Sequence, residues 1–269
     1  MTIKGLVNDC VSKGIKLKDA RNLVAEEIII KKIASSDLVE RVTFKGGIIM
    51  YSVSKSDRRV TQDLDFDLIG YSIEKESIEL FIRQLNKTND GFNVYIVGDI
   101  EELHQQNYKG VRVNTIIKDL EGQKLRLKLD IGVHTHKAIE QDRIAFCFGT
   151  TGGSLSIKVN PLEQVFAEKM LSLARLGVIS TRYKDIYDFY YLIKECSISP
   201  EKVDEILLLF ISKSNKAPFN ISDLKKRITK TLNDKAFIER VQASESGWLN
   251  ISYDDMKKTI LDFVELLFD

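Results

Sequence analysis

The chain has 269 residues, of which 43% are hydrophobic, so it is long enough for one large domain or two smaller ones. Forty basic residues nearly balance 39 acidic ones, which excludes a global electrostatic attraction to nucleic acid or to a membrane surface. There is no run of 18 apolar residues and no apolar signal-peptide core, and the three cysteines lack disulfide or metal-ligand spacing. We therefore expect a cytoplasmic protein that makes no membrane contact and meets nucleic acid only through local patches.

The first 40 residues predict two helices, the second from Ile15 to Ile33. A short strand at 41–45 then leads into the glycine pair Gly46-Gly47, and the apolar residues after it can begin a third helix. Glycines at such a point let the backbone approach a ligand closely, and the free amides of the next helix would face a phosphate. The plain alternative for the glycine pair is a simple turn.

Residues 63–68 alternate strictly between aspartate and an apolar residue, which predicts a half-buried strand. Asp63, Asp65 and Asp67 would share its open face, with neighbours about 7 Å apart. Carboxylates this close repel one another, and a divalent cation such as Mg²⁺ or Mn²⁺ removes that repulsion while it binds substrate phosphates. Two of these carboxylates could hold the metal ions of a phosphoryl or nucleotidyl transfer, either the first two or the last two.

Further along the chain the pattern indicates a mixed sheet and then a change to helices. Asn160-Pro161 marks that change, because asparagine can cap a helix and proline suits its first turn. The sequence therefore predicts an α/β (α+β) domain at 1–160 and a helical domain at 161–269. The expected elements are a helix near 74–85, strands at 92–97, 111–118, 124–133, 144–148 and 155–159, with a hairpin turn at Thr151-Gly152-Gly153 between the last two, and helices near 162–176, 184–195, 200–213, 222–240 and 254–268.

Two charged residues interrupt the apolar faces of consecutive predicted helices. Lys169 falls inside the apolar stripe of the first, and Asp185 falls among the apolar residues of the second, with Asp188 at the edge. Opposite charges in such places suggest a buried or cleft-facing pair. Alternatively, Lys169 extends out to solvent and Asp185 satisfies the free amides of a first helical turn.

The glycine pair and the aspartate strand together resemble the first motif of the nucleotidyltransferase superfamily. The fuller pattern Lys45-Gly46-Gly47, Arg59-x-Thr61-x-Asp63-Leu64-Asp65 is similar to its AbiEii/MenT toxin branch, and a basic loop separates the two parts. Later motifs of that branch match Ala167-Glu168-Lys169 and Arg182-x-Lys184-Asp185. The resemblance covers about residues 41–195. Lys184 departs from it by standing where many relatives carry arginine, and Asp67 departs from it as an extra carboxylate.

This resemblance implies a nucleotidyltransferase-type mixed sheet flanked by helices, followed by a helical domain. It implies an enzyme that uses an NTP and Mg²⁺ (or Mn²⁺) and acts as the toxin of a type IV toxin–antitoxin or phage-defence pair, with a cognate antitoxin as a possible partner. The family transfers nucleotides to RNA, often to the 3′ end of tRNA. Two alternatives remain open: transfer to a hydroxyl of a small molecule or protein, and a binding module for NTP or a partner without turnover.

The resemblance also assigns roles to individual residues. Asp63 and Asp65 would hold the metal, with Asp130 on a neighbouring strand as third carboxylate; otherwise Asp130 pairs with Lys128 or Arg126 on a solvated face. The residues expected around the NTP are Lys45, Gly46, Gly47, Arg59, Thr61 and Lys169, and Asp185 would orient Lys169 or act on the acceptor hydroxyl.

Overall fold

The computed structural model describes residues 1–56, 61–103, 110–136, 138–213 and 220–267. The chain divides into two compact units, Met1–Asn160 and Pro161–Asp269. The division falls at the Asn160-Pro161 step, where the sequence changes from strand patterns to helix patterns. In the described parts of the chain, no helix is both long and apolar enough to cross a membrane.

The first unit is a mixed sheet with helices. Its helices are α1 (Ile3–Ser12), α2 (Leu17–Ala34), α3 (Gly47–Ser54) and α4 (Lys75–Leu85), with a short 3-10 helix at Asp37–Glu40. Its strands are β1 (Val42–Phe44), β2 (Asp63–Leu68), β3 (Phe92–Ile96), β4 (Glu101–Glu102), β5 (Gly110–Asp119), β6 (Lys124–Val133), β7 (Asp142–Cys147) and β8 (Ser154–Val159). They form one sheet in the order β3-β5-β6-β2-β1-β8-β7, and β4 pairs with β5. The predicted mixed α/β fold class is confirmed.

Strand β2 lies in the middle of this sheet and confirms the strand predicted from the aspartate alternation. It runs parallel to β6 and antiparallel to β1. Leu64 and Phe66 are fully buried, because the alternation turns every second side chain into the core. The register sets Asp65 directly opposite Asp130 of β6, so the two carboxylates lie on the same face of neighbouring strands.

The hairpin of β7 and β8 confirms the turn predicted at Thr151-Gly152-Gly153. The Phe148 amide donates to the Gly153 carbonyl at 3.0 Å, and the Gly152 amide donates to the Phe148 carbonyl at 2.9 Å. These glycines therefore close a hairpin, as expected.

The second unit contains α5 (Leu162–Leu176), α6 (Lys184–Lys194), α7 (Pro200–Lys213), α8 (Ile221–Asn233), α9 (Lys235–Ala243) and α10 (Tyr253–Leu266), with a 3-10 helix at Gly177–Ile179. The prediction of one continuous helix over 222–240 was wrong. Asp234 breaks it, because its backbone is extended and its carboxylate accepts a hydrogen bond from the Phe237 amide at 2.8 Å. An aspartate that caps the next helix in this way ends one helix and begins another.

Candidate functional site

The glycine turn lies directly against the aspartate strand. Gly46 has φ 68° and ψ −135°, a backbone conformation that side chains disfavour. A Cβ at Gly46 would lie 2.7 Å from Oδ2 of Asp65, and a Cβ at Gly47 would lie 2.7 Å from Cβ of Thr61. Both glycines are therefore required by close packing. The predicted phosphate turn and a predicted metal carboxylate meet at this point, at the start of α3.

The third aspartate of β2 has a different environment from the first two. Asp67 is 2% exposed, and its Oδ1 accepts a hydrogen bond from the ammonium of Lys45 at 2.6 Å. Lys45 is itself buried. Asp67 shares a strand face with Asp63 and Asp65, as predicted, but it is buried there because Lys45 covers and neutralises it.

Asp130 is also engaged, by a residue that the sequence did not single out. Arg112 of β5 donates from Nε and Nη2 to the two oxygens of Asp130 at 2.8 and 2.7 Å, a bidentate pair. The same Nη2 lies 3.8 Å from Asp63. The proposed pairing of Asp130 with Lys128 or Arg126 was therefore wrong, since Arg112 takes that place. The hydrogen bond to Asp130 is the main cause that raises the pKa of Arg112.

Asp63 is half-buried at the start of β2. Burial raises the pKa of Asp63, and the negative charge of Asp130 raises it further, while Arg112 and Lys128 lower it. Four carboxylates therefore lie on the neighbouring strands β2 and β6, those of Asp63, Asp65, Asp67 and Asp130. Lys45 forms an ion pair with Asp67, and Arg112 forms one with Asp130 and lies close to Asp63.

A further carboxyl acts on this face from helix α2. Glu26 is 1% exposed, and its Oε1 has no hydrogen-bond partner in the described residues. Its pKa lies well above the ordinary value, chiefly because of burial and then because of the charges of Asp65, Glu27 and Asp63. The sequence analysis missed Glu26. A glutamate in an otherwise apolar helical stretch was the available signal.

The two misfits of the helical unit form a buried charge cluster. The ammonium of Lys169 donates to Oδ1 of Asp185 and lies 2.9 Å from Oδ2 of Asp188. Arg182 binds the other oxygen of Asp185 at 2.9 Å, and the indole of Trp248 donates to Asp188 at 3.1 Å. Lys169 and Asp185 are each 5% exposed and Asp188 is fully buried. The expectation of a buried pair is confirmed. Asp188, which had been placed only at the edge of the apolar face, joins this pair.

The predicted site residues thus fall into two groups. Lys45, Gly46, Gly47, Thr61, Asp63, Asp65 and Asp130 are gathered around β2 in the first unit, and Lys169 and Asp185 meet in the second. Arg59, and its neighbour Arg58 in the basic loop, lie outside the described residues. Within the described ranges, no group of three or more His, Cys, Asp or Glu side chains is arranged to hold a metal ion.

Comparison with known proteins gives a family. A search of curated proteins returned no significant match. Among solved structures, the chain is similar to an antigenic nucleotidyltransferase-like protein from Paracoccidioides brasiliensis. The identity is 15% and the TM-score 0.38, over 77% of this chain and 92% of that one, a similarity too weak to carry an argument about the fold.

The family model described as nucleotidyl transferase AbiEii toxin, type IV toxin–antitoxin system, matches residues 28–266. The match extends well beyond the 41–195 over which the sequence motifs are recognisable, and it includes α7 to α10. The chain therefore belongs to the AbiEii family of nucleotidyl transferase toxins.

Proposed function

We propose that this nucleotidyltransferase moves a nucleoside monophosphate from an NTP to the 3′ end of an RNA, with tRNA as the acceptor, in a reaction that depends on Mg²⁺. Membership of the family implies an NTP substrate and a cognate antitoxin. The observation that carries the proposal is the contact between the Gly46 turn and the Asp65 carboxylate, because it joins a phosphate-binding backbone to an acidic strand.

The residues around β2 fit a divalent cation that binds together with the NTP. Asp63 and Asp65 remain the proposed metal pair, because Asp65 lies against the Gly46 turn and Asp63 lines a cavity, whereas Asp67 is buried against Lys45. Magnesium commonly binds through one or two carboxylates together with substrate phosphates, rather than in a complete protein cage. A cation bound there would neutralise charge that builds up on the phosphates during transfer. Asp130 as a third ligand stays a prediction: each of its oxygens already accepts a hydrogen bond from Arg112 and would bind the metal through its other lone pair.

The chain's own residues would position the substrates. The amides at the start of α3 would face the triphosphate, and Gly46 and Gly47 would allow it to approach the backbone. In the transfer, the acceptor hydroxyl oxygen forms a bond to the α-phosphorus of the NTP. The bond from that phosphorus to the bridging oxygen breaks, pyrophosphate leaves, and the hydroxyl proton passes to a carboxylate of the site or to water.

Lys45, Thr61 and Arg59 remain proposed contacts to the NTP. The ammonium of Lys45 already binds Asp67, so its contribution would be to hold the strand beneath the phosphates. Thr61 packs on Gly47 and donates its hydroxyl to the Asp63 carbonyl at 3.1 Å. It would therefore fix the junction between the glycine turn and the metal strand.

In the helical unit, the contacts of Asp185 distinguish between its two proposed roles. Both oxygens of Asp185 are engaged, one by Lys169 and one by Arg182. This arrangement favours Asp185 as the residue that orients Lys169 over Asp185 as a base for the acceptor hydroxyl. That Lys169 contacts the phosphates of the NTP stays a prediction.

The test is a labelling experiment with the full chain. The protein is incubated with Mg²⁺, total RNA and each α-labelled NTP in turn, and then again with RNA whose 3′ diol has been destroyed by periodate. We expect label in the tRNA fraction, and we expect periodate to abolish it. Label that survives periodate would exclude transfer to the 3′ end. Label in protein or in a small molecule would show that the acceptor is not RNA. No label with any NTP would contradict nucleotidyl transfer altogether.

A further inference from the structure

A groove lies beside Asp63, where strand β6 runs on beyond the start of β2. In the register of these strands, Asp63 stands opposite Lys128, so Lys124 to Leu127 continue past the first residue of β2. A cavity of about 470 Å³ occupies this place and is lined by Lys18, Asn22, Asp63, Arg126 and Lys128, among others. Its volume is in the range of sites that hold a small ligand.

A second cavity, of about 510 Å³, continues the first along α2 and β6. It shares Lys18, Asn22 and Arg126 with the first cavity and adds Arg21 and Lys124. We call the two together the α2–β6 groove. The groove leads from a candidate metal carboxylate at one end to Lys124 at the other, so it suits a ligand longer than one nucleotide.

The groove is strongly basic in a chain whose net charge is only +1. Lys18, Arg126 and Lys128 form no salt bridge with a carboxylate of the described residues. Arg21 donates to the carbonyl of Lys124 at 3.2 Å, which ties α2 to β6 along the groove. Cations that line a cleft and form no salt bridge among the described residues are suited to an anionic ligand.

The spacing of these cations follows an extended single strand. Lys124, Arg126 and Lys128 alternate along β6 on one face, so successive charges lie about 7 Å apart. Grooves that bind single-stranded nucleic acid track its backbone with positive charge. Asn22 on one wall offers amide donors and acceptors that can meet the edges of bases.

The order of the strands separates this groove from the glycine turn. Gly46 and Gly47 follow β1, which pairs with β2 on one side, whereas the groove is built on β6, which pairs with β2 on the other. Asp63 and Asp65 on β2 therefore stand between the two. A phosphoryl transfer needs the attacking and leaving oxygens roughly in line, on opposite sides of the phosphorus. The geometry thus separates a place for the donor triphosphate from a place for the acceptor.

We propose that the α2–β6 groove holds the single-stranded 3′ end of the RNA acceptor. The terminal ribose hydroxyl lies at Asp63, and the preceding phosphates lie in turn against Lys128, Arg126 and Lys124. This inference rests on the proposed transfer to RNA, but it concerns binding and is tested without turnover.

The experiment measures binding of a 5′-fluorescein-labelled, ten-nucleotide single-stranded RNA to the full chain by fluorescence anisotropy, in EDTA and without NTP. We expect Arg126→Gln and Lys128→Gln each to weaken RNA binding about three- to tenfold and to lower the slope of log K against log salt by about 0.7. The matched control is Lys87→Gln, an exposed lysine in the same unit that lines neither cavity. The control should bind RNA as the wild type does, and melting temperatures verify that all variants are folded.

A second arm tests the direction of the strand. A phosphate on the 3′ end would bring negative charge to Asp63 and should weaken binding, whereas a phosphate on the 5′ end of an unlabelled competitor should not. Equal competition by the 3′-phosphorylated and 3′-hydroxyl RNAs would overturn the proposed orientation.

A third arm distinguishes acceptor from donor. Titration of a non-hydrolysable NTP with Mg²⁺ should give the same affinity for wild type and Arg126→Gln; Lys128→Gln is left out of this arm because Lys128 stands opposite Asp63. Weaker NTP binding with unchanged RNA binding would assign the groove to the donor and overturn the proposal, as would RNA affinity that is unchanged in both variants. Charge-dependent RNA binding in a protein that labels no RNA would support the groove while contradicting the proposed transfer.

Discussion

The two charge clusters of this protein differ in how accessible they are. In the helical unit, Lys169 lies between Asp185 and Asp188, and each of the three is at most 5% exposed. Around β2, Asp67 and Asp130 form ion pairs with Lys45 and Arg112, but Asp63 is only half-buried and lines a cavity. A buried cluster pairs its charges internally, whereas one that opens to a cavity can also meet a ligand. The comparison indicates that access, rather than the mere presence of buried charge, distinguishes a candidate ligand site.

The first prediction removes the two proposed metal carboxylates of β2. Asp63→Asn should lower nucleotidyl transfer about a thousandfold or more, because the amide keeps the shape but removes charge that would hold the metal. Its stability should stay level or rise, since burial and Asp130 already raise the pKa of Asp63 and so disfavour its charge. Asp65→Asn should lose transfer in the same way. Label transfer and thermal melting measure the two effects.

The matched control for that prediction is Asp67→Asn on the same strand. It leaves the buried ammonium of Lys45 without its carboxylate, so it should lower the free energy of unfolding by about 3 kcal/mol. Wild-type transfer by Asp63→Asn would contradict the metal assignment, and an unchanged stability of Asp67→Asn would contradict the division of the strand into functional and structural aspartates.

The second prediction breaks the buried cluster of the helical unit. Lys169→Met leaves Asp185 and Asp188 buried without their shared cation, so the unfolding free energy should fall by about 3–5 kcal/mol. Urea unfolding measures this loss. A variant that keeps its stability but loses affinity for a non-hydrolysable NTP would instead show that Lys169 serves phosphate binding more than the cluster.

The sequence predicted the elements of both clusters better than it predicted their partners. Strict alternation predicted β2, and the helical wheel placed Lys169 and Asp185 where they meet. Arg112 was missed because its pairing depends on the register of a hairpin: Lys118 stands opposite Lys124, and that register sets Arg112 opposite Asp130. The pattern of one strand contains no such information.

The pairing of Lys45 with Asp67 was missed for a related reason, although the sequence analysis named both residues. Lys45 and Asp67 lie 22 positions apart, and neither sequence position indicates an ion pair. The two come together because β1 and β2 pair antiparallel. The break at Asp234 shows the opposite case, a local signal that was available. Aspartate favours the first position before a helix, but the apolar periodicity continued across it and masked the cap.

The third prediction compares two glycines with nearly the same backbone conformation, one in each unit. Gly46 has φ 68° and ψ −135°, and Gly177 has φ 55° and ψ −139°. Alanine at either position should cost about 1–3 kcal/mol of stability through backbone strain. A Cβ at Gly46 would also displace the Asp65 carboxylate, whereas one at Gly177 would meet Thr231 Oγ1 at an ordinary 3.7 Å. We therefore expect Gly46→Ala to lose transfer and Gly177→Ala to keep it, at a temperature where both are folded.

Equal transfer by the two alanine variants would show that the glycine turn takes no part in the reaction. Equal loss of transfer would show that strain anywhere in the fold is enough to inactivate it. Either result would remove Gly46 as evidence for a phosphate site.

The smallest effect is expected for Glu26→Gln, and it should depend on pH. Burial and the charges of Asp65, Glu27 and Asp63 raise the pKa of Glu26 well above its ordinary 4.5. An acid whose pKa is higher in the folded state makes folding less favourable as pH rises above the unfolded value, up to the raised folded pKa. Near pH 4 the carboxyl and the amide are both neutral, so the two proteins should differ little in stability. Above that pH the wild type should lose stability relative to Glu26→Gln, and urea unfolding at a series of pH values measures the difference. A stability difference that does not change with pH would show that Glu26 has the same pKa in the folded and unfolded chains. The aspartates of β2 would then have no effect on the ionisation of Glu26.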